Sequence, residues 1–185
     1  MADRGMERLA AVLRGLDLDL VRFNFQYREA GSRRPDPMPR LKQCFEAVLA
    51  HTRKELGSKR LIIGGRSMGG RAASMMAADG FDCDALLLLA YPLHPPGKPG
   101  QLRSAHLPQI RVPVLCINGT RDAFCTRELM NKALESVQTK WTMHWIDGAD
   151  HSFHVLKSSG RNDADVYSEI GAAGGRWLVT VRPEK

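Results

Sequence analysis

The sequence predicts an α/β fold in three layers, with helices on both faces of a mostly parallel sheet and a single domain spanning residues 1–185. Apolar runs of strand length alternate along the chain with stretches whose apolar residues recur at helical spacing. Two of the runs, "RLIIGG" and "ALLLLAY", are continuous rather than alternating, as strands buried on both faces are. The 185 residues are 43% hydrophobic and 25% charged, with no linker or internal repeat. A chain of this size suffices for one core that buries roughly 70% of its unfolded surface.

The elements follow in order. Met6, Leu9, Ala10, Leu13 and Leu16 recur at the spacing of an amphipathic helix. In "LDLVRFNFQY" the alternation of Val21, Phe23 and Phe25 predicts a strand. A loop with Pro35, Pro37 and Pro39 leads to a second helix through Leu41, Cys44, Phe45, Val48 and Leu49. "RLIIGG" then reads as a strand, residues 68–78 as a helix, and "ALLLLAY" and "PVLCING" as two more strands. "TRELMNKALESV" is a helix with Thr126 as N-cap and Glu128 in its first turn. "KWTMHWID" is the last strand and residues 164–178 the closing helix.

Composition excludes several classes. No apolar run approaches the roughly 20 residues of a membrane helix. The first twenty residues carry charge throughout and lack the apolar core of a signal peptide, so the expected compartment is the cytoplasm. Cys44, Cys83, Cys116 and Cys125 are widely spaced, which predicts reduced, mostly buried thiols and no zinc site. No His, Cys or Asp cluster has ligand spacing, so neither metal nor cofactor is expected. The net charge of +7 is scattered among 20 acidic residues, which argues against nucleic acid as the partner.

The segment "GGRSMGG" sits where a strand passes into a helix. The spacing fits neither a Walker A loop, which needs Lys before Ser or Thr, nor the GxGxxG dinucleotide fingerprint. It fits GxSxG, a sharp strand-to-helix turn that exposes Ser67 as a nucleophile, with Gly65 and Gly69 expected to lack bulk because they pack across the turn. Such a serine needs a histidine base and a carboxylate to orient it. Asp122 in "TRDAF" and His151 in "GADHSF" each follow the carboxyl end of a predicted strand, in the order Ser, Asp, His. His154 is the rival base by position, and Asp147 and Asp150 are the rival acids.

These residues, with "RFNFQYREAG", "YPLHPPGKP", "LRSAHLPQIRVPVLCINGTRDAF" and "SSGRNDADV", resemble the α/β-hydrolase superfamily. Within it the chain is similar to the dienelactone-hydrolase-like group that includes testis-expressed hydrolase-like proteins. The resemblance implies a Ser67–Asp122–His151 triad and an oxyanion donor at the Met68 N–H. It also implies a further strand ahead of the first helix, ending in an "HGAG"-like loop that supplies a second oxyanion donor. The sequence opens on "MADRGMERLA" instead, so the expected fold is an N-terminally truncated version of the family's. The expected function is serine hydrolysis of a small-molecule ester, thioester or lactone. The alternative is a catalytically inert interaction module on the same fold. The connection 91–110 is the expected cap or pocket, with Arg66, Tyr91 and His94 as substrate contacts. Arg71, Lys98 and Arg103 nearby would suit an acidic substrate. A homodimer would cover apolar sheet edges.

Overall fold

The computed structural model describes residues 4–57 and 60–181. Its elements are α1 (Arg4–Arg14), α2 (Gln26–Glu29), α3 (Met38–Leu56), β1 (Ile62–Arg66), α4 (Met68–Ala78), β2 (Ala85–Leu89), β3 (Val114–Gly119), α5 (Arg127–Leu134), β4 (Trp141–Ile146) and α6 (Asp163–Val181). The four strands form one parallel sheet in the order β1-β2-β3-β4. The register sets Gly65 opposite Leu88, Leu88 opposite Cys116, and Cys116 opposite Met143. All four carboxyl ends therefore open on one edge, where the loops carrying Ser67, Asp122 and His151 emerge.

Strand alternation sorts the core into two layers. Leu86, Leu88, Val114 and Cys116 pack with Leu41, Phe45, Ala72, Ala73, Met76 and Met130 from α3, α4 and α5. Ala85, Leu89, Leu115 and Ile117 pack with Leu9 of α1 and with Val166, Ile170 and Trp177 of α6. A β-carbon on Gly171 would stand 2.5 Å from Val12 Cγ1, so the bare backbone of α6 admits α1. No helix among the described residues is long and apolar enough to cross a membrane.

Two expectations are corrected. Residues 18–25 form no strand, and the chain passes instead into the four-residue α2. A strand exists only as a member of a ladder, and β1 is the edge of the sheet, with no strand on its outer side among the described residues. The aromatics of that segment are satisfied by packing: the Phe23 ring meets Phe45 at 4.9 Å and Phe25 at 5.3 Å, both edge-on. Pro39 is not part of a loop but lies in the first turn of α3, where its missing N–H costs nothing.

Candidate active site

Ser67 joins β1 to α4 with φ 53° and ψ −116°, a conformation that costs a non-glycine residue about 1–3 kcal/mol. Its N–H bonds Leu89 O at 2.8 Å and its carbonyl accepts from Arg71 N at 3.0 Å, so the strained turn is held by β2 on one side and α4 on the other. The glycines serve differently from the expectation. A β-carbon on Gly65 would lie 2.9 Å from Gly69 C, and one on Gly70 would lie 2.7 Å from Gly65 O. A β-carbon on Gly69 would meet only a Phe25 ring atom, at 4.0 Å. The steric demand therefore falls on Gly65 and Gly70. The N–H groups of the first turn of α4, Met68 first, have no intrahelical acceptor and face outward at the turn.

Asp122 follows β3 and His151 follows β4, and the turns that present them are tied together. A β-carbon on Gly119 would lie 2.1 Å from Ala149 O, so only glycine lets the β3 exit run this close to the histidine loop. Arg121 N donates to the same carbonyl at 2.9 Å. Asp150 Oδ1 accepts from Ser152 N at 2.7 Å and His154 N at 3.0 Å, closing the turn around His151. Within this frame His151 Nε2 lies 2.9 Å from Ser67 Oγ, and His151 Nδ1 lies 2.8 Å from Asp122 Oδ2 and 3.0 Å from Oδ1. The Asp122 side chain is fully buried and that of His151 is 21% exposed. The Phe124 ring covers the imidazole at 4.3 Å between centroids.

The rival residues are engaged elsewhere. His154 Nδ1 pairs with Asp163 at 2.9 Å on an exposed face, and His144 Nε2 pairs with Glu169 at 2.9 Å. Asp147 accepts from Thr120 Oγ1, and Asp150 serves the turn just described. Among the proposed substrate contacts, Arg66 reaches Ser152 Oγ through Nη2 at 3.3 Å, beside His151. Tyr91 and His94 turn inward, 0% and 3% exposed. The Tyr91 hydroxyl is engaged by Ser74 and His106, and His94 Nδ1 lies 2.9 Å from Pro95 O while its buried Nε2 has no partner among the described residues. Burial, then the neighbouring Arg103 charge, lower the pKa of Arg71, which lies one turn of α4 beyond Ser67. Lys98 sits on the exposed tip of a loop that closes on itself through Arg103 N to Leu93 O at 2.7 Å.

Behind α4, Tyr91 Oη meets Ser74 Oγ and His106 Nε2, each at 3.3 Å, and Ser74 Oγ meets His106 Nε2 at 2.9 Å. Burial first, then the Arg71 charge, push the His106 pKa from 6.5 down to about 4. The ring is neutral at pH 7, and its Nε2 shares a hydrogen bond with the two hydroxyls. The folded value lies below the unfolded one, so the unfolded chain takes up the proton first as pH falls. Stability attributable to His106 is full above about 6.5, declines toward about 4 and levels off below. With discount for partial exposure the loss is on the order of 2 kcal/mol. His106→Gln should flatten the fall in urea midpoint over that window relative to the wild type.

Cys83, Cys116 and Cys125 are buried and have raised thiol pKa values, with burial as the main cause; that of Cys83 reaches about 11. Cys125, three residues beyond Asp122, is therefore no competing nucleophile. Asn118, Phe124 and Ser152 also stand at the site, and sequence reasoning missed all three. The one available signal was the polar Asn118 inside the otherwise apolar "VLCING" strand.

The alpha/beta hydrolase domain model matches residues 1–178. Among solved structures, an alpha-beta serine hydrolase homologue from Coxiella burnetii is similar at 21% identity and TM-score 0.75, covering 96% of this chain and 77% of that one. An a/b serine hydrolase without a lid from Xanthomonas campestris is 22% identical with TM-score 0.73, covering 96% and 75%. A protein of unknown function from Agrobacterium tumefaciens is 19% identical with TM-score 0.74, covering 100% and 82%. At these identities the likeness is one of fold. The chain belongs to the alpha/beta hydrolase family.

Proposed function

We propose that this protein is a serine hydrolase that cleaves a carboxylic ester, thioester or lactone of a small molecule through an acyl-enzyme. The observation that carries the proposal is the unbroken hydrogen-bond chain from Ser67 Oγ through both His151 nitrogens to the buried Asp122 carboxylate, on a serine held at positive φ. A structural serine needs neither the strained turn nor a base at 2.9 Å.

In the proposed reaction, Ser67 Oγ attacks the substrate carbonyl carbon while His151 Nε2 takes the hydroxyl proton. Asp122 accepts the Nδ1–H bond, which fixes the tautomer and stabilises the imidazolium. The carbonyl oxygen becomes an oxyanion facing the Met68 N–H and the positive end of α4. Collapse breaks the bond to the leaving group, which receives the proton from Nε2. Water, deprotonated by the same nitrogen, then attacks the acyl-serine and releases the acid.

The test is labelling with a fluorophosphonate followed by peptide mass spectrometry. A single adduct on Ser67 is expected, and it should vanish in His151→Ala, because the probe needs an activated serine rather than a particular substrate. A folded protein that takes up no probe would overturn the hydrolase assignment in favour of an inert interaction module.

A further inference from the structure

Asn118 is completely buried near the end of β3, and its amide joins the Tyr91 backbone to the Asp122 carboxylate. Its Oδ1 accepts from Tyr91 N at 3.0 Å, and its Nδ2 donates to Tyr91 O at 3.2 Å and to Asp122 Oδ2 at 3.3 Å. The orientation is determined by chemistry. A flipped amide would set NH2 against the Tyr91 N–H and its oxygen against a carbonyl and a carboxylate.

We infer that Asn118 is a positioning residue for the triad, locking the Asp122 carboxylate in line with His151 Nδ1 and clamping to it the chain that leaves β2. The inference rests on the hydrolase reading above. Asp122 has two fixed donors besides His151, one on each oxygen: Phe124 N on Oδ1 at 2.8 Å and Asn118 Nδ2 on Oδ2. A carboxylate torsion is broad, and one donor alone leaves it free to swing. Two opposed donors fix its plane.

The backbone explains why a side chain is needed. β2 ends at Leu89, and Ala90 turns away with φ 48° while its N–H still bonds Ile117 O at 2.8 Å. The next rung of the ladder has no partner on the β3 backbone, so the Asn118 amide supplies both halves of it to Tyr91, whose carbonyl also accepts from Leu93 N at 3.1 Å. From Tyr91 the connection continues through its hydroxyl to Ser74, on the helix that carries Ser67. Nucleophile helix, β2 exit and acid thereby share one buried polar chain. Only Asn fits: Asp lacks the donor and would face Asp122 with a second negative charge, while Leu would strand the Tyr91 N–H and take one donor from Asp122 Oδ2.

The experiment compares the wild type with Asn118→Asp and Asn118→Ala by fluorophosphonate labelling rate and by the far-downfield proton resonance of His151 Nδ1–H. Asn118→Asp keeps the acceptor for Tyr91 N and the volume and sets an oxygen where the donor to Asp122 and Tyr91 O stood, whereas Asn118→Ala removes that donor without adding charge. Labelling of Ser67 should slow about 10- to 100-fold in both variants, the range for residues that orient a functional group. The Nδ1–H resonance should shift in Asn118→Asp, and a role confined to packing would leave it in place. A folded Asn118→Asp with the wild-type rate and an unmoved resonance overturns the inference. If Asn118→Ala does not fold, Asn118→Asp decides alone. If neither variant folds, selective labelling of the Asn118 amide in the wild type decides. Its resonance must move in Asp122→Ala for the inference to stand. Should the wild type take up no probe, the hydrolase reading fails, and the two resonances still decide the role of Asn118.

Discussion

Asp122→Asn is expected to lower kcat for a short acyl ester, or the fluorophosphonate labelling rate, by about 10⁴-fold in a protein that remains folded. The variant keeps the shape of the side chain and changes one thing, the character of an atom facing His151 Nδ1. With Asp122 both oxygens accept, so Nδ1 carries the proton and Nε2, 2.9 Å from Ser67 Oγ, is free to receive one. An amide keeps its oxygen on the Phe124 N–H and turns NH2 toward Nδ1. The imidazole proton then moves to Nε2, where it faces the serine as a donor and cannot act as base. The same NH2 would also face Asn118 Nδ2, donor against donor, so a stability loss of about 1–2 kcal/mol should accompany the rate loss. Denaturant midpoints separate the two effects. A wild-type rate in Asp122→Asn would mean that His151 takes its tautomer from something other than this carboxylate.

What the sequence could disclose about the fold and the candidate site depended on how local the governing physics is. Strand, GxSxG and helix lie within eighteen residues, and turn sterics alone constrain their order, so Ser67 could be placed without knowing its neighbours. The positions of Asp122 and His151 were legible for a similar reason: each follows an apolar run, and in a parallel sheet all carboxyl ends share one edge. Residues 18–25 were misread because a period-2 pattern reports which side chains seek burial, and says nothing of whether a ladder partner exists. Here three aromatic rings of the segment and α3 bury one another without any sheet. Tyr91 and His94 read as substrate contacts because they lie in the long 91–110 connection expected to form a cap or pocket. The inward turn of Tyr91 depends on Asn118 and on the Ala90 conformation, neither of which periodicity encodes. The division of labour among the glycines was also hidden, because it is set by how α4 leans on β1 after the turn.

That lean gives the largest stability contrast expected between neighbouring substitutions. In Gly65→Ala the new methyl would sit 2.9 Å from Gly69 C and 3.1 Å from Gly70 N, backbone atoms that cannot rotate away. The first turn of α4 would have to slide, but the helix is pinned by Ala72, Ala73 and Met76, which are buried against the sheet. The cost should be about 3 kcal/mol, the upper end for overpacking, and labelling of Ser67 should be lost because the serine leaves its register with His151. In Gly69→Ala the methyl meets only a Phe25 ring atom at 4.0 Å, and the helix gains a better former. That variant should be neutral to about 1 kcal/mol more stable, with the labelling rate retained. Urea midpoints in the order Gly69→Ala, wild type, Gly65→Ala would assign the elbow's steric demand to the glycine two residues before the serine. The reverse order would mean that α4 meets β1 through Gly69 after all, and the close approach of Gly65 to the first turn would have to be abandoned.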